Sequence, residues 1–281
     1  MQNNLPLRRK AYCGTMNFMM LLCTGITVAL TFFLIIYIAV ESIPHFSVKI
    51  LTTKPSYLDD SIGVLPDILN TIYIIITTLV FVLPLGIGAA IYLTEYAKSK
   101  KLVGMIEYAI ESLAGIPSII YGLFGMLFFV TALKWGYSMM AGAATLAIMV
   151  LPVIMRTTEE ALLCVPDSFR EGSFGLGAGK LRTIFKIVLP SAIPGILSGI
   201  ILAIGRIVGE TAALIYTSGT VANLAGFFDS GRTLAIHMYS LSREGMHTNE
   251  AYATAVVLLI VVLIINGVSS LIAKKFEAPK Q

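Results

Sequence analysis

The sequence predicts an all-α polytopic membrane protein with six transmembrane helices. Of its 281 residues 57% are hydrophobic and only 13% are charged, whereas soluble domains carry about 25% charged residues. Five apolar stretches carry no charge and are long enough to cross a bilayer core, which takes about 20 residues. A sixth stretch is interrupted by only two charges. These observations exclude a soluble globular domain.

The predicted spans follow one another along most of the chain. The five uncharged ones are Phe18–Val40, Ile68–Leu93, Ser112–Leu133, Tyr137–Met155 and Ala251–Ala273. The first is interpreted as a retained anchor, because its 23-residue apolar run is too long for a signal peptide and no small-x-small cleavage site follows it. The third contains Pro117 and is expected to bend there.

The distribution of basic residues predicts the orientation. Six crossings place both termini on the same side of the membrane. If that side is the cytoplasm, fourteen lysines and arginines are cytoplasmic, five are outside, and Arg206 lies within a span. The positive-inside rule therefore predicts cytoplasmic termini.

The predicted organisation has three parts. Residues 1–67 hold the cytoplasmic N-terminal tail, the first span and an outer loop. Residues 68–273 form the main transmembrane domain, and residues 274–281 a cytoplasmic C-terminal tail. Within the main domain, the loop between spans two and three is expected to be a connector. The loop at 156–190 is longer and periodic, which predicts short helices that meet a soluble partner.

The end of this long loop carries a recognisable pattern. It reads "EGSFGLGAGKLRTIFKIVLP" from Glu171 to Pro190. We expect one short helix to end near Leu176 and break at Gly177, which tolerates a left-handed backbone. A second helix is expected from about Lys180 to Val188, with Pro190 in the first turn of span five.

The spacing resembles that of the EAA loop in permease subunits of ABC importers, which reads EAA, three residues, Gly, nine residues, Ile-x-Leu-Pro. At the three EAA positions the chain has Glu-Gly-Ser, so both alanines are replaced, each by a small residue. The resemblance implies that this segment contacts an ATPase subunit. The residues that occupy the pattern's positions are Glu171, Gly172, Ser173, Gly177, Ile187, Leu189 and Pro190. An amphipathic loop lying on lipid headgroups is the alternative.

The same segment contains a false phosphate-binding motif, "GLGAGKLR". A P-loop requires G-x-x-x-x-G-K followed by Ser or Thr. Here Phe174 stands at the first glycine and Leu181 follows Lys180. The chain carries no Walker motif, so we expect it to bind no cofactor itself, with ATP and Mg²⁺ held by partner ATPase subunits.

Span five, Val188–Tyr216, contains Arg206 and Glu210. Charged residues within a span are costly and commonly mark a substrate route. Since they are spaced i,i+4, they are expected on one helical face, either as a structural ion pair or with Arg206 facing an anionic substrate. The hydroxyls of Thr211, Thr217 and Ser218 either donate to substrate or bond their own backbone, and Thr211 is a further candidate for the substrate pathway.

Small residues in this span predict close helix packing. Gly195 and Gly199 form one small-xxx-small pattern, and Gly205 and Gly209 form another. Such patterns let helix backbones approach each other, although each alone is a weak indication.

Three segments resemble the phosphate-specific permeases of ABC importers, in particular their A-type subunit. These are "GRIVGETAALIYTSG", "AGIPSIIYGLFG" and "TEEALLCVPDSFREGSFGLGA". The resemblance implies a type I ABC importer permease that takes up inorganic phosphate across the bacterial cytoplasmic (inner) membrane. It also implies that Arg206 and Glu210 belong to the phosphate path. Sulfate or molybdate is the alternative substrate.

The same resemblance implies partners. These are a C-type phosphate permease as heterodimer, two ATPase subunits, an extracytoplasmic phosphate-binding protein and membrane lipid, with no nucleic acid. The outer segments, 41–67 and 218–250, are expected either to dock the binding protein or to cap the pore, with "LAIHMYSL" as an interfacial helix.

Other functions find little support in the sequence. The three cysteines and three histidines are scattered, so no metal site is expected. A membrane enzyme that used Glu210 as an acid or base would need a second polar group in the spans, and a signalling anchor would need a soluble domain. No catalytic residue is predicted.

Overall fold

The structure, a computed structural model, describes residues 7–46, 48–55, 63–245 and 248–276, and every regular element within these ranges is helical. Five helices are long and apolar enough to cross a membrane, and a sixth span results when a bent helix pair is counted as one. The predicted all-α membrane class is therefore confirmed. The outermost residues of both predicted tails, 1–6 and 277–281, lie outside the described residues.

Twelve α-helices occupy the described ranges. They are α1 Leu7–Ser42, α2 Val48–Thr52, α3 Leu65–Ile91, α4 Lys100–Ala114, α5 Ser118–Gly125, α6 Met139–Leu163, α7 Asp167–Gly175, α8 Lys180–Thr183, α9 Leu189–Val208, α10 Ala212–Ile215, α11 Leu234–Glu244 and α12 Thr248–Phe276. Three π-helical segments continue them, Tyr92–Tyr96 after α3, Met126–Ala132 after α5 and Ile184–Val188 between α8 and α9.

Helix α6 lies at the centre and packs against α3, α5 and α9. Its Leu146 and Ile154 join Ile74 of α3 and Ile207 of α9 in a shared core, and each of these four residues is at most 1% exposed. Apolar side chains at helical spacing on both faces of α6 explain its central position.

Glycines bring α9 close to α6 in one of the two predicted places. A Cβ added to Gly195 would lie 2.6 Å from the Cβ of Ala161, and one added to Gly199 would collide with Thr157. The first small-xxx-small prediction is thus confirmed. At Gly205 of the second pattern, an added Cβ would meet no atom of the described residues within 4 Å, so no helix of this chain packs closely there.

Helix α1 lies at the edge of the bundle and contacts α12. The rings of Tyr37 and Tyr252 meet edge to face, with centroids 6.2 Å apart. Most other apolar side chains of α1 are exposed, Leu21 to 77% and Phe18 to 65%. A helix that is apolar on all sides is stable in lipid or against another apolar surface, as expected for a membrane span.

The predicted third span and the connector before it are corrected by the structure. The predicted connector is α4, a helix of 15 residues, and α4 meets α5 at a bend of 97°. The predicted start at Ser112 falls inside α4, and the helix after Pro117 begins at Ser118, because proline disfavours a helical residue before it and lacks an N–H. The predicted bend at Pro117 is confirmed. Helix α4 escaped prediction because Lys100, Lys101 and two glutamates interrupt its apolar residues.

The two ends of the bundle differ. The end that carries the C-termini of α3 and α6 together with α7 and α8 is called the α7 end. The opposite end, which carries the segment from Tyr216 to Glu244, is called the α11 end. There the Asn70 side chain donates to the carbonyl oxygens of Asn223 (2.8 Å) and Arg232 (3.1 Å) and accepts from the N–H of Ala225 (3.1 Å).

A buried ion pair adds to this attachment. Arg232 Nε donates to Asp67 Oδ1 at 3.0 Å, and neither side chain is more than 10% exposed. The "LAIHMYSL" segment forms the first turns of α11, as predicted. Its Leu234 and Ile236 are fully buried, and the helix packs onto α12 and α3.

Candidate functional site: the α9 clefts and the EAA-like segment

The EAA-like segment, residues 171–190, forms a helix, a turn and a second helix. Helix α7 ends at Gly175, Gly177 adopts a left-handed backbone with φ of +81°, and α8 begins at Lys180. The predicted break is therefore confirmed. Ser173 is 5% exposed, and its Oγ lies 2.8 Å from Thr183 Oγ1, which joins the two helices. Glu171 and Gly172 lie beside it on α7.

The second helix runs without a break into span five. The sequence predicted a separate helix to Val188, but helical structure is continuous from Lys180 to Val208. The N–H of Leu189 bonds to the carbonyl of Ile184, five residues earlier, so the hydrogen-bond ladder has slipped by one residue just before Pro190. Pro190 has no N–H to contribute, and the π-helical turn accommodates it. Ile187 lies in this turn.

The tip of the segment is apolar and exposed. Leu176 is 92% exposed and Leu181 is 64% exposed. Behind the tip is a cleft of about 310 Å³ whose lining includes Arg182, Lys186 and Ile187. An exposed leucine on a rigid turn, next to cations, is suited to insertion into the groove of a soluble partner.

Arg170 ties this segment to α3 and was missed as a functional residue. Its Nη2 and Nε donate to Glu95 Oε1 at 2.9 and 3.1 Å, and it also donates to the carbonyl oxygens of Leu162 and Val165. The two ionised side chains are 16% and 10% exposed. Lys180 adds to the junction by bonding to the backbone carbonyl of Glu95 and lying 4.8 Å from the Tyr96 ring centroid.

Arg206 and Glu210 do not share a continuous helix, contrary to the prediction. Helix α9 ends at Val208 with Gly209 as its cap, so Arg206 lies in the last turn and Glu210 follows the break. Glu210 Oε1 accepts a hydrogen bond from the N–H of Ala213 at 3.0 Å. Among the described residues no ion pair joins Arg206 to Glu210. The break at Gly209 therefore separates Arg206 from Glu210, and the two side chains do not form a pair.

Arg206 lines an open cleft of about 520 Å³ between α6, α9 and α12. The lining is apolar except for Arg206 and Asn266, and it includes Leu202 and Gly205. Within the ranges that the structure describes, the guanidinium of Arg206 has no hydrogen-bond acceptor and no carboxylate partner. An uncompensated cation at the end of an apolar helix is suited to meet an anion.

Thr211 lies in a second cleft, of about 220 Å³, nearer the α11 end. The polar residues that line it are Thr211, Tyr216, Tyr239 and Arg243. Thr217 and Ser218 are fully buried and donate to the carbonyl oxygens of Ala213 and Leu214 in their own chain segment. Of the two alternatives for these hydroxyls, bonding to the backbone is thus confirmed. The clefts lie on either side of the Gly209 break.

Several polar residues of these sites escaped sequence analysis. Asn266, Tyr216 and Tyr239 are single polar groups in apolar or mixed surroundings, and only the packing of α9, α11 and α12 brings them to the clefts. Asp67 and Arg232 were counted only as residues of outer loops. A proline before Asp67 at the start of an apolar run was a sign of a helix N-terminus, but nothing in the sequence indicated its partner.

The family described as "Binding-protein-dependent transport system inner membrane component" matches residues 82–278. This chain belongs to that family. It is also 35% identical to the "Probable ABC transporter permease protein YqgI" of Bacillus subtilis, over 92% of this chain and 95% of that protein. The PstA phosphate permease of Pasteurella multocida is 34% identical, over 80% of this chain and 81% of its own length.

A solved structure has the same fold. The chain superposes with a TM-score of 0.68 on a crystal structure of a bacterial ABC transporter involved in the import of the polysaccharide alginate, at 16% identity, covering 97% of this chain and 99% of that one. The chain is therefore a PstA-like ABC permease with the fold of type I importer permeases. It is a polytopic membrane subunit, and permeases of this class work with an ATPase and a substrate-binding protein.

Proposed function

We propose that this chain is the A-type permease subunit of an ATP-driven importer of inorganic phosphate. The observation that carries the proposal is Arg206, a cation without a carboxylate partner among the described residues, in an open cleft of the transmembrane domain. Its planar fork of N–H donors suits a tetrahedral oxyanion. Sequence similarity to phosphate permeases named PstA, at 34% identity over four fifths of this chain, favours phosphate over sulfate or molybdate.

In this proposal the chain pairs with a C-type permease, and the pair rests on two ATPase subunits that bind ATP and Mg²⁺. An extracytoplasmic phosphate-binding protein delivers the substrate. The excess of basic residues on one side supports a cytoplasmic position for both termini, and therefore for the α7 end. The protein then lies in the bacterial cytoplasmic membrane, with the α11 end facing outward.

Movement of the ATPase reaches the anion cleft through one rigid element. The exposed Leu176 tip sits in the ATPase groove, with Glu171, Gly177 and the helix through Leu189 and Pro190 as the coupling positions. Because Lys180–Val208 is a single helix, displacement of its cytoplasmic end displaces Arg206 as well. Arg206 attracts phosphate but lies in an open cleft, which keeps the anion from being held too tightly to leave. Glu210 holds the α9–α10 corner through its bond to Ala213.

Uptake through the complete wild-type system tests the substrate. Cells or vesicles that contain all four kinds of subunit are given labelled phosphate with a large excess of unlabelled sulfate or molybdate. We expect uptake to persist under both competitors and to be abolished by unlabelled phosphate. Uptake that sulfate or molybdate suppresses as strongly as phosphate does would overturn the phosphate assignment and leave the permease assignment intact.

A further inference from the structure

The cleft near the α11 end has the donors of a second anion site. It is formed by α5, α10 and α11, encloses about 220 Å³, and is separated from the Arg206 cleft by the Gly209 break. Its polar groups are the guanidinium of Arg243 and the hydroxyls of Thr211, Tyr216 and Tyr239. All of them can donate hydrogen bonds, and no carboxylate lines the cleft.

These donors are available to a ligand. Among the described residues, neither tyrosine hydroxyl of this cleft and no part of the Arg243 guanidinium has a hydrogen-bond or ion-pair partner. The Thr211 hydroxyl has only a long contact of 3.4 Å to the carbonyl of Gly209. Tyr239 is 43% exposed, so a small anion can reach the site from the α11 end.

We propose that this cleft is an outer phosphate subsite, which receives the anion released by the binding protein before it reaches Arg206. The proposal rests on the phosphate function proposed above. Arg243 supplies the charge, while the hydroxyls of Tyr216, Tyr239 and Thr211 bond to the phosphate oxygens. Two weak sites in series shorten the distance that the anion must cover without a partner, and neither holds it strongly.

The location of the site supports this order. Thr211 directly precedes the short helix α10 and lies only five residues after Arg206, with Glu210 between them. The Glu210 carboxylate is occupied by the N–H of Ala213. An anion that leaves the outer cleft therefore passes the Gly209 corner to reach the α9 cleft. Since this corner belongs to the helix that the EAA-like segment moves, the transfer can be linked to the ATPase cycle.

The test measures phosphate transported and ATP hydrolysed in the same proteoliposomes. They contain the complete importer, with ATP inside and binding protein loaded with labelled phosphate outside. The main variant is Tyr216→Phe together with Tyr239→Phe, which removes two hydroxyls and keeps both rings. Arg243→Gln removes the charge. Lys134→Gln is the matched control, because Lys134 is an exposed cation in another loop of the proposed outer face and lies outside the cleft.

We expect about a tenfold loss of transport in the double tyrosine variant and in Arg243→Gln. The first variant loses two neutral hydrogen bonds to phosphate and the second loses one charged hydrogen bond, and either loss is of that size. Stimulation of ATP hydrolysis by the loaded binding protein should stay at the wild-type level, so less phosphate moves per ATP. Lys134→Gln should change neither quantity.

Two results would overturn the subsite. In one, both variants transport phosphate as well as Lys134→Gln does. In the other, transport and stimulated ATP hydrolysis fall together, which would make this surface a docking contact for the binding protein. A wild-type complex that responds to its binding protein but carries no phosphate is a different failure, because it removes the proposed function itself.

Discussion

Arg170 joins the EAA-like segment to α3 through one side chain. We expect Arg170→Met to lower the free energy of unfolding by about 3 kcal/mol, because it leaves the Glu95 carboxylate, 10% exposed, without its cation. Thermal unfolding of the purified complex measures the effect. Lys101→Met is the matched control, since Lys101 is an exposed cation of α4, outside the EAA-like segment.

The double variant Arg170→Met/Glu95→Leu separates pairing from packing. It removes both charges and should recover part of the lost stability, because no buried charge is then left unpaired. If Arg170→Met unfolds at the wild-type temperature, the junction between the segment and α3 is not a stabilising contact.

His237, which lies outside the spans, gives the fold a dependence on pH. It is 1% exposed, and burial, followed by the nearby charge of Arg232, lowers its pKa to about 3. Its other charged neighbour, Asp67, has an oxygen 3.3 Å from the imidazole Nδ1 but already accepts a bond from Arg232. In an unfolded chain the pKa of histidine is about 6.5.

Between these two pKa values the unfolded state binds more protons than the folded state. The contribution of neutral His237 to the free energy of unfolding is therefore fully present above about pH 6.5. It is lost as the pH falls from there toward 3, by at most about 1.4 kcal/mol per pH unit. We expect His237→Gln to lose less stability than wild type between pH 6.5 and 5 in denaturant unfolding. Parallel pH curves for the two proteins would show that His237 is already protonated when folded.

Single residues were only partly predictable. A charge such as Arg206 is conspicuous in an apolar run, so the sequence revealed it. Arg170 and Glu95 are 75 positions apart, and only the folded arrangement of α3 and α7 brings them together. The break after Arg206 was missed because glycine is common inside membrane helices, so Gly209 alone did not indicate an end.

At the scale of helices, apolar length predicted most spans, and close packing was harder to foresee. We expect Gly199→Ala to destabilise the α6–α9 contact by about 1–3 kcal/mol, because the new methyl group collides with Thr157. Gly205→Ala should instead stabilise α9 by about 0.5–1 kcal/mol, since it meets open space and alanine favours the helix. Denaturant unfolding of both variants measures whether the free energy of unfolding falls in Gly199→Ala and rises in Gly205→Ala. Equal changes in the two variants would contradict this packing.

The exposed tip of the EAA-like segment should determine assembly with the ATPase. We expect Leu176→Asp to reduce co-purification of the ATPase at least tenfold, because a charge replaces an apolar side chain that is 92% exposed. Leu224→Asp is the matched control, a leucine 62% exposed near the α11 end. Normal ATPase recovery with Leu176→Asp would mean that the partner binds elsewhere.

The two corrected elements show the limits of hydropathy. Helix α4 is interrupted by charges, so its sequence lacks the uniform apolar character of a span, although its periodicity is helical. Conversely, the uniform apolar run at 112–133 conceals a sharp bend, because hydropathy measures transfer into lipid and not the N–H that Pro117 lacks.

At the scale of the whole molecule, the chain is one permease whose α6-centred core supports two clefts, one on either side of the Gly209 break that ends α9. Composition and loop spacing were enough to predict a membrane permease. The shape of the clefts was not predictable, because it depends on where α9 ends and on which residues α11 and α12 bring beside it. The central claim is that Arg206 lies on the path of the transported phosphate.

That claim is tested most directly by ATP-driven uptake of labelled phosphate through the assembled complex, comparing wild type with Arg206→Gln. Co-purification of the ATPase establishes that both complexes are assembled. We expect the wild type to take up phosphate in excess sulfate and the assembled Arg206→Gln complex to lose this uptake. Normal uptake by the assembled variant would show that Arg206 is not part of the phosphate path.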